Sequence, residues 1–335
     1  MISACDPNKG LASSSYSVDF TKGADDDNWE GTGHGTVKYT SDGAEFTVAK
    51  QGDSPTIQSK WYMFFGRMEV HLKAAPGTGI VSSVVLLSDV LDEVDWEWLG
   101  GKDEDVQTNY YGKGNDAADT RSATFPVTNA QEEFHNYTIH WTKDSCEWYI
   151  NGVAVRTLNY ADALGGENYP QTPMRVKLGI WAGGDPDNAE GTIEWAGGET
   201  DYSGGPYTMT VQKITIENLN PAESYTYSDE TGSYKSIEFD EKDSGSDDDD
   251  DSSSTASETA SKTSSKASSK TSSDETESSD FKNNKAETTS AGATSSESSA
   301  AASASATDGS TNSAAGNWPK MWLALGATFA AMVMM

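Results

Sequence analysis

The sequence has 335 residues with 53 acidic and 23 basic side chains, a net charge of −30. A surface this acidic repels phosphate backbones and sets nucleic acid aside as a partner. Two cysteines, Cys5 and Cys146, allow at most one internal disulfide, so no disulfide framework carries the fold. A Cys5–Cys146 bridge and two unpaired thiols both stay open.

Eight of the ten tryptophans lie before residue 220, where a core and a ligand surface can form. Residues 221–311 are dominated by Ser, Thr, Ala, Asp, Glu and Lys. Such a stretch cannot bury enough apolar surface to offset its ordering entropy, and it reads as a disordered, O-glycosylated stalk. Residues 321–335 (MWLALGATFAAMVMM) are uncharged and apolar. They follow the small residues Asn312-Ser313-Ala314 and a spacer ending in Lys320. That is the pattern of a GPI-anchor signal, and the tail is shorter than the ~20 residues a membrane-spanning helix needs. The expected organisation is an arm over 1–14, a folded domain over 15–220, the stalk over 221–311 and the anchor signal over 312–335. An anchor requires the secretory pathway, so a signal peptide is expected, although Met1–Cys5 does not read as one. The expected location is the outer face of the plasma membrane.

Residues 15–220 read as all-β: short runs of β-formers separated by Gly, Pro, Asn and Asp, with no long helical period. Residues 63–74 alternate Met68, Val70 and Leu72 against Arg67, Glu69, His71 and Lys73. Residues 134–142 place Tyr137, Ile139 and Trp141 on one face. Asn151-Gly152 between two apolar runs predicts a hairpin. Many such strands in about 200 residues imply a two-sheet concave jelly-roll sandwich. The sequon Asn136-Tyr137-Thr138 falls inside a strand and is not favoured for glycosylation.

The informative stretch is Asp92-Glu93-Val94-Asp95-Trp96-Glu97-Trp98-Leu99-Gly100. Strand side chains alternate, so Glu93, Asp95 and Glu97 share one face while Val94, Trp96 and Trp98 share the other. Three aligned carboxyls cannot all ionise cheaply, and the natural relief is for one to keep a proton. Carboxyls whose pKa values are pushed apart are what a glycosidase needs: one nucleophile and one general acid. Glu93 and Glu97 are ~13 Å apart along an ideal strand. A retaining mechanism therefore needs the side chains to lean inward, and an inverting one tolerates a wider gap. A solvated acidic edge or a calcium site explains the pattern less well. The flanking tryptophans oppose the first, and calcium sites draw on turns and carbonyls.

At these residues the sequence resembles glycoside hydrolase family 16, whose active strand reads Glu-x-Asp-x-Glu. The fuller Asp-Glu-Val-Asp-Trp-Glu-Trp-Leu-Gly-Gly resembles the fungal Crh-type transglycosylases. The likeness extends through 74–88 (AAPGTGIVSSVVLLS), 107–111 (QTNYY) and 179–199 (GIWAGGDPDNAEGTIEWAGGE). The resemblance implies a wall enzyme that cleaves chitin as donor and joins it to β-glucan as acceptor. Glu93 would be the nucleophile, Glu97 the proton donor and then base, and Asp95 the residue that tunes the nucleophile. It also implies donor-sugar contacts at Lys177, Trp181 and Thr192. The sequence departs from that group's N-terminal cysteine pair, since only Cys5 is present there.

Read from the residues alone, Trp181 and Trp195 sit among small neighbours that leave a ring face open for sugar stacking, with core packing as the alternative. Lys177 shares a strand face with Trp181. Gln107, Asn109 and Tyr111 alternate on the next strand, and amides read sugar hydroxyls by donating and accepting. Tyr202 is a further cleft candidate. The histidines His34, His71, His135 and His140 have no metal-ligand spacing, so neither metal nor cofactor is expected, and nothing suggests more than a monomer. Two other readings stand beside the transglycosylase: an endo-β-glucanase or chitinase-type hydrolase on the same fold, and a non-catalytic carbohydrate-binding wall protein.

Overall fold

The computed structural model describes residues 6–116 and 121–240. Cys5 and the stalk and anchor expected beyond 240 lie outside the described residues. Two antiparallel sheets face one another. One runs in the order Ala123–Pro126, Asp105–Tyr111, Glu93–Leu99, Ile80–Leu87, Arg175–Ala182, Thr56–Ser59, Trp29–Gly31. The other runs Val153–Asn159, Ser145–Ile150, His135–Trp141, Gly66–Lys73, Tyr207–Asn218, Gly43–Val48, Val37–Thr40, and Ser15–Asp19 pairs on the long Tyr207–Asn218 strand. This is the expected jelly-roll sandwich.

The core lies where the apolar faces of the two sheets meet. Trp96 and Trp98 from the first sheet pack edge-on against Tyr137 from the second, with ring centroids 5.5 and 4.6 Å apart. Met68, Val70 and Leu72 are fully buried, while Arg67, Glu69, His71 and Lys73 between them are not, as their alternation requires. Asn151 and Gly152 both adopt positive φ, 50° and 80°, and close the hairpin between Ser145–Ile150 and Val153–Asn159. Cys146 is a free thiol buried in this core, and burial raises its pKa. The amide of Asn136 is engaged by Glu69 and Thr138.

The folded chain runs past the boundary expected at 220. Ser224–Tyr227 and Ile237–Glu238 form a small sheet with Asn8–Lys9 of the N-terminal arm. The reason is apolar: Ala222, Tyr225 and Ile237 are buried, and Phe239 packs edge-on against Phe64 and Tyr225. A handful of aromatics is enough to hold a segment whose average composition is polar. Among the described residues no helix is long and apolar enough to cross a membrane.

Candidate active site

The site is built by register on the face of the first sheet turned away from the core. Glu93–Leu99 pairs without a register shift on both sides. Directly paired residues share a face, so the three acids lie in three parallel rows. Glu93 stands between Tyr111 and Leu87, with Arg175 next beyond. Asp95 stands between Asn109 and Val85, with Lys177 beyond. Glu97 stands between Gln107 and Ser83, with Gly179 beyond. One unbulged strand thus brings Glu93, Asp95, Glu97, Gln107, Asn109, Tyr111 and Lys177 onto one surface, as their alternation predicts.

The acids do not sit on an open sheet. Glu93 is 7 % exposed and Asp95 2 %, while Glu97 keeps part of its surface in solvent. Desolvation is the largest influence on all three and holds each above its ordinary carboxyl range. They differ in their neighbours. Asp95 lies between the charges of Glu93 and Glu97, which drive it well up, and it shares a hydrogen bond with Glu93. That bond pulls Glu93 down, as do the cations Lys177 and Arg121. Glu97 is raised further by the charge of Glu93. Asp95 is thus pushed furthest from its ordinary range, and Glu93, with a hydrogen bond and two cations beside it, has neighbours that favour its anion where Glu97 has none of these.

The start of the strand is fixed by Asp92, whose carboxylate is turned inward. One oxygen accepts from the Lys113 amide (2.8 Å), and the other accepts from the Gln171 amide (2.9 Å) and the Thr172 hydroxyl (2.6 Å). Its own amide donates to Ser88 Oγ at 2.9 Å. Sequence alternation gives Asp92 no role; its partners lie in loops that only the fold brings together.

The aromatic wall differs from expectation. Trp181 is 4 % exposed, packed in a small apolar cluster with Val81, Leu99 and Ala196 and stacked against Trp195 at 6.1 Å. The open ring face expected of Trp181 is absent; Trp195, only partly buried, is the tryptophan with surface to offer. Its indole N–H donates to Gln107 Oε1 at 2.9 Å. Thr192 lies in the short helix Glu190–Trp195, fully buried, its hydroxyl without a hydrogen-bond partner. Lys177 is 7 % exposed, and burial, then the charge of Arg175, lowers its pKa to about 8. Asn109 spends its carbonyl oxygen on the Tyr110 amide. Tyr202 is a clamp: its hydroxyl donates to Asp185 at 2.5 Å, and Gln51 holds the other carboxylate oxygen at 2.9 Å. Arg121, which the sequence did not single out, lies 3.9 Å over the Tyr111 ring.

A row of three desolvated acids on one strand face, beside the amides of Gln107 and Asn109 and the partly exposed Trp195, defines a glycosidase-type site on a jelly roll. The chain belongs to the family described as glycosyl hydrolases family 16, whose model matches residues 25–197. It is 63 % identical over 236 residues to Crh-like protein 5 of Aspergillus fumigatus, covering 70 % of this chain and 60 % of that protein. It is 55 % identical over 243 residues to Crh-like protein 1 of the same organism, covering 72 % and 68 %. Among solved structures it is similar to Crh5 transglycosylase in complex with NAG, at 63 % identity and a TM-score of 0.69, covering 71 % of this chain and 97 % of that one. The match thus spans about 60 % of the length of the first of these relatives.

Proposed function

We propose that this chain is a retaining transglycosylase that cleaves chitin and transfers the glycosyl unit to β-glucan. The observation that carries the reading is the acid row itself: Glu93, Asp95 and Glu97 on one face of an unbulged strand, with Glu93 and Asp95 buried and Glu97 partly open to solvent. Further support comes from the 63 % identity to a transglycosylase solved with NAG.

In the first step a Glu93 carboxylate oxygen attacks the anomeric carbon. The glycosidic bond breaks, and the Glu97 proton passes to the departing sugar oxygen. Asp95 donates its hydrogen bond to Glu93 and stabilises the anion before attack. In the second step Glu97 takes the proton of an acceptor hydroxyl, that oxygen bonds the anomeric carbon, and Glu93 leaves as carboxylate. Lys177 lies on the donor side, and Trp181 and Thr192, both buried, support the wall there. Gln107, Asn109 and Trp195 stand on or over the strand that flanks the acids on the other side. The apolar tail and Ser/Thr-rich stretch of the sequence support action at the cell surface through a GPI anchor; release from intact cells by a phosphatidylinositol-specific phospholipase tests that part.

The test is a chitin oligosaccharide donor with a fluorescent β-glucan oligosaccharide acceptor, run beside Glu93→Gln. Larger labelled products that vanish in the variant are expected. Shortened donor without labelled product would show a hydrolase. Binding with neither sugar changed would leave a wall lectin.

A further inference from the structure

Glu93 and Glu97 are the same residue type on the same strand face, both strongly desolvated. What favours ionisation at Glu93 comes partly from the strand, where Asp95 donates to it, and partly from cations outside the strand. Around Glu93, the strand itself supplies Asp95 and Glu97. The Ile80–Leu87 strand supplies only Leu87. The Arg175–Ala182 strand supplies Lys177, with Arg175 one place beyond Leu87. The Asp105–Tyr111 strand supplies Tyr111, directly opposite Glu93. Asp92, next in sequence, is turned away and saturated with donors. Arg121 completes the set, its guanidinium 3.9 Å from the centre of the Tyr111 ring.

Arg121 is held from several directions. A guanidinium nitrogen donates to the carbonyl of Asp116 at 3.2 Å. Its own carbonyl accepts from Arg156 at 2.6 Å. Arg156 comes from Val153–Asn159 in the opposite sheet. It also donates to the Thr108 carbonyl (3.2 Å) and hydroxyl (2.7 Å), and lies against the Trp148 and Tyr110 rings at 4.8 and 5.4 Å. A half-buried arginine is thus spent on fixing the backbone of a second one.

We propose that Arg121, seated on the Tyr111 ring and pinned by Arg156, is a positioning residue that makes Glu93 the ionised acid of the row. The inference rests on the reading of Glu93 as nucleophile. The two cations near Glu93 are not equivalent. Lys177 is buried, and with its pKa lowered to about 8 it gives up its charge at alkaline pH, whereas a guanidinium keeps its charge there. Arg121 favours the charged form of Glu93 and Asp95, and no cation does the same for Glu97 among the described residues. The guanidinium stands at the Glu93 end of the strand, where it adds to the Asp95 hydrogen bond and the Lys177 charge in favouring the Glu93 anion.

The test is the pH profile of kcat/KM for labelled transfer product, compared among wild type, Arg121→Gln and Arg121→Lys. Glu93 must be ionised to attack, so activity is lost as pH falls through its pKa, and removing a cation raises that pKa. Arg121→Gln is expected to move the acidic limb upward by about one pH unit, losing roughly tenfold in rate at low pH. Arg121→Lys keeps a charge and is expected to keep the limb within a few tenths of a unit. If Arg121→Gln does not fold, Arg121→Met, which keeps an unbranched apolar stem against the Tyr111 ring, takes its place. An unmoved limb with a uniform loss of rate, or an equal shift in the Lys variant, would overturn the proposal and leave Arg121 as a loop closure. Wild-type protein that makes no labelled product, or Glu93→Gln that still makes it, would defeat the underlying reading instead.

Discussion

Trp195 donates its indole N–H to the side-chain oxygen of Gln107, the residue directly opposite Glu97 on the neighbouring strand. A residue from the short helix after the Asp185 loop is thereby tied to the row that holds Glu97, while its ring covers Trp181. Two functions are combined in one side chain, and they separate by substitution. Trp195→Phe keeps the ring and is expected to leave the donor KM within about threefold. Trp195→Ala uncovers Trp181 and is expected to raise it about tenfold, the ~1.4 kcal/mol scale of an aromatic pair. Equal effects of the two variants on KM would place the contribution in the N–H and not the ring.

The acid row sets the alkaline side of the pH profile. Glu97 must carry a proton to protonate the leaving oxygen, and that proton is lost as pH rises through the pKa in the folded protein. Burial and the charge of Glu93 raise that pKa, so the descending limb is expected well above the ordinary glutamate value of about 4.3. The limb belongs to the coupled acids together and not to Glu97 alone. A descending limb at the ordinary value would mean that the groove does not desolvate Glu97.

Asp92 offers a structural counterpart. It is fully buried and accepts three hydrogen bonds from residues 113, 171 and 172. Asp92→Asn would turn an NH2 group toward existing donors. We expect a loss of ~2–3 kcal/mol, a fall in Tm of roughly 5–10 °C, and lower transfer activity because the catalytic strand begins at the next residue. Unchanged melting with lost activity would instead give Asp92 a chemical role.

The Tyr202–Asp185 bond gives a pH-dependent stability. Burial works against the Asp185 carboxylate, but the Tyr202 hydroxyl, the Asp187 amide and Gln51 outweigh it and hold its pKa below the usual range. A depressed carboxyl pKa stabilises the fold above the unfolded pKa of about 3.9, and the stabilisation fades as pH drops through the folded value. Tyr202→Phe is expected to cost about 1–1.5 kcal/mol at pH 7 and progressively less at pH 3 and below, read as the difference in Tm between variant and wild type. A difference that does not vary with pH would assign the effect to ring packing.

Much of this site was legible because strand geometry is a period of two. Glu93, Asp95 and Glu97 on one face, Trp96 and Trp98 on the other, and Gln107, Asn109 and Tyr111 beside them all follow from alternation. The hairpin at Asn151-Gly152 was equally plain. Alternation is silent on anything decided by contacts distant in sequence. The burial of Trp181 depends on Trp195, brought to it by a helix too short to show a helical period. Arg121 and Arg156 are single residues with no local pattern, and they matter through a Tyr111 ring and a backbone carbonyl. The boundary at 220 failed for a compositional reason: Tyr225, Ile237 and Phe239 are few among polar neighbours, and averaging hides them.

The strand Glu93–Leu99 faces the groove with one set of side chains and the core with the other. Inserting or deleting one residue within it would exchange the sets, sending carboxyls into the apolar interior and indoles into the groove. Such a change would not survive as a folded but inactive protein. Quality control of folding therefore guards the spacing of the acids, and the chemistry inherits a safeguard that selection on activity alone would not supply.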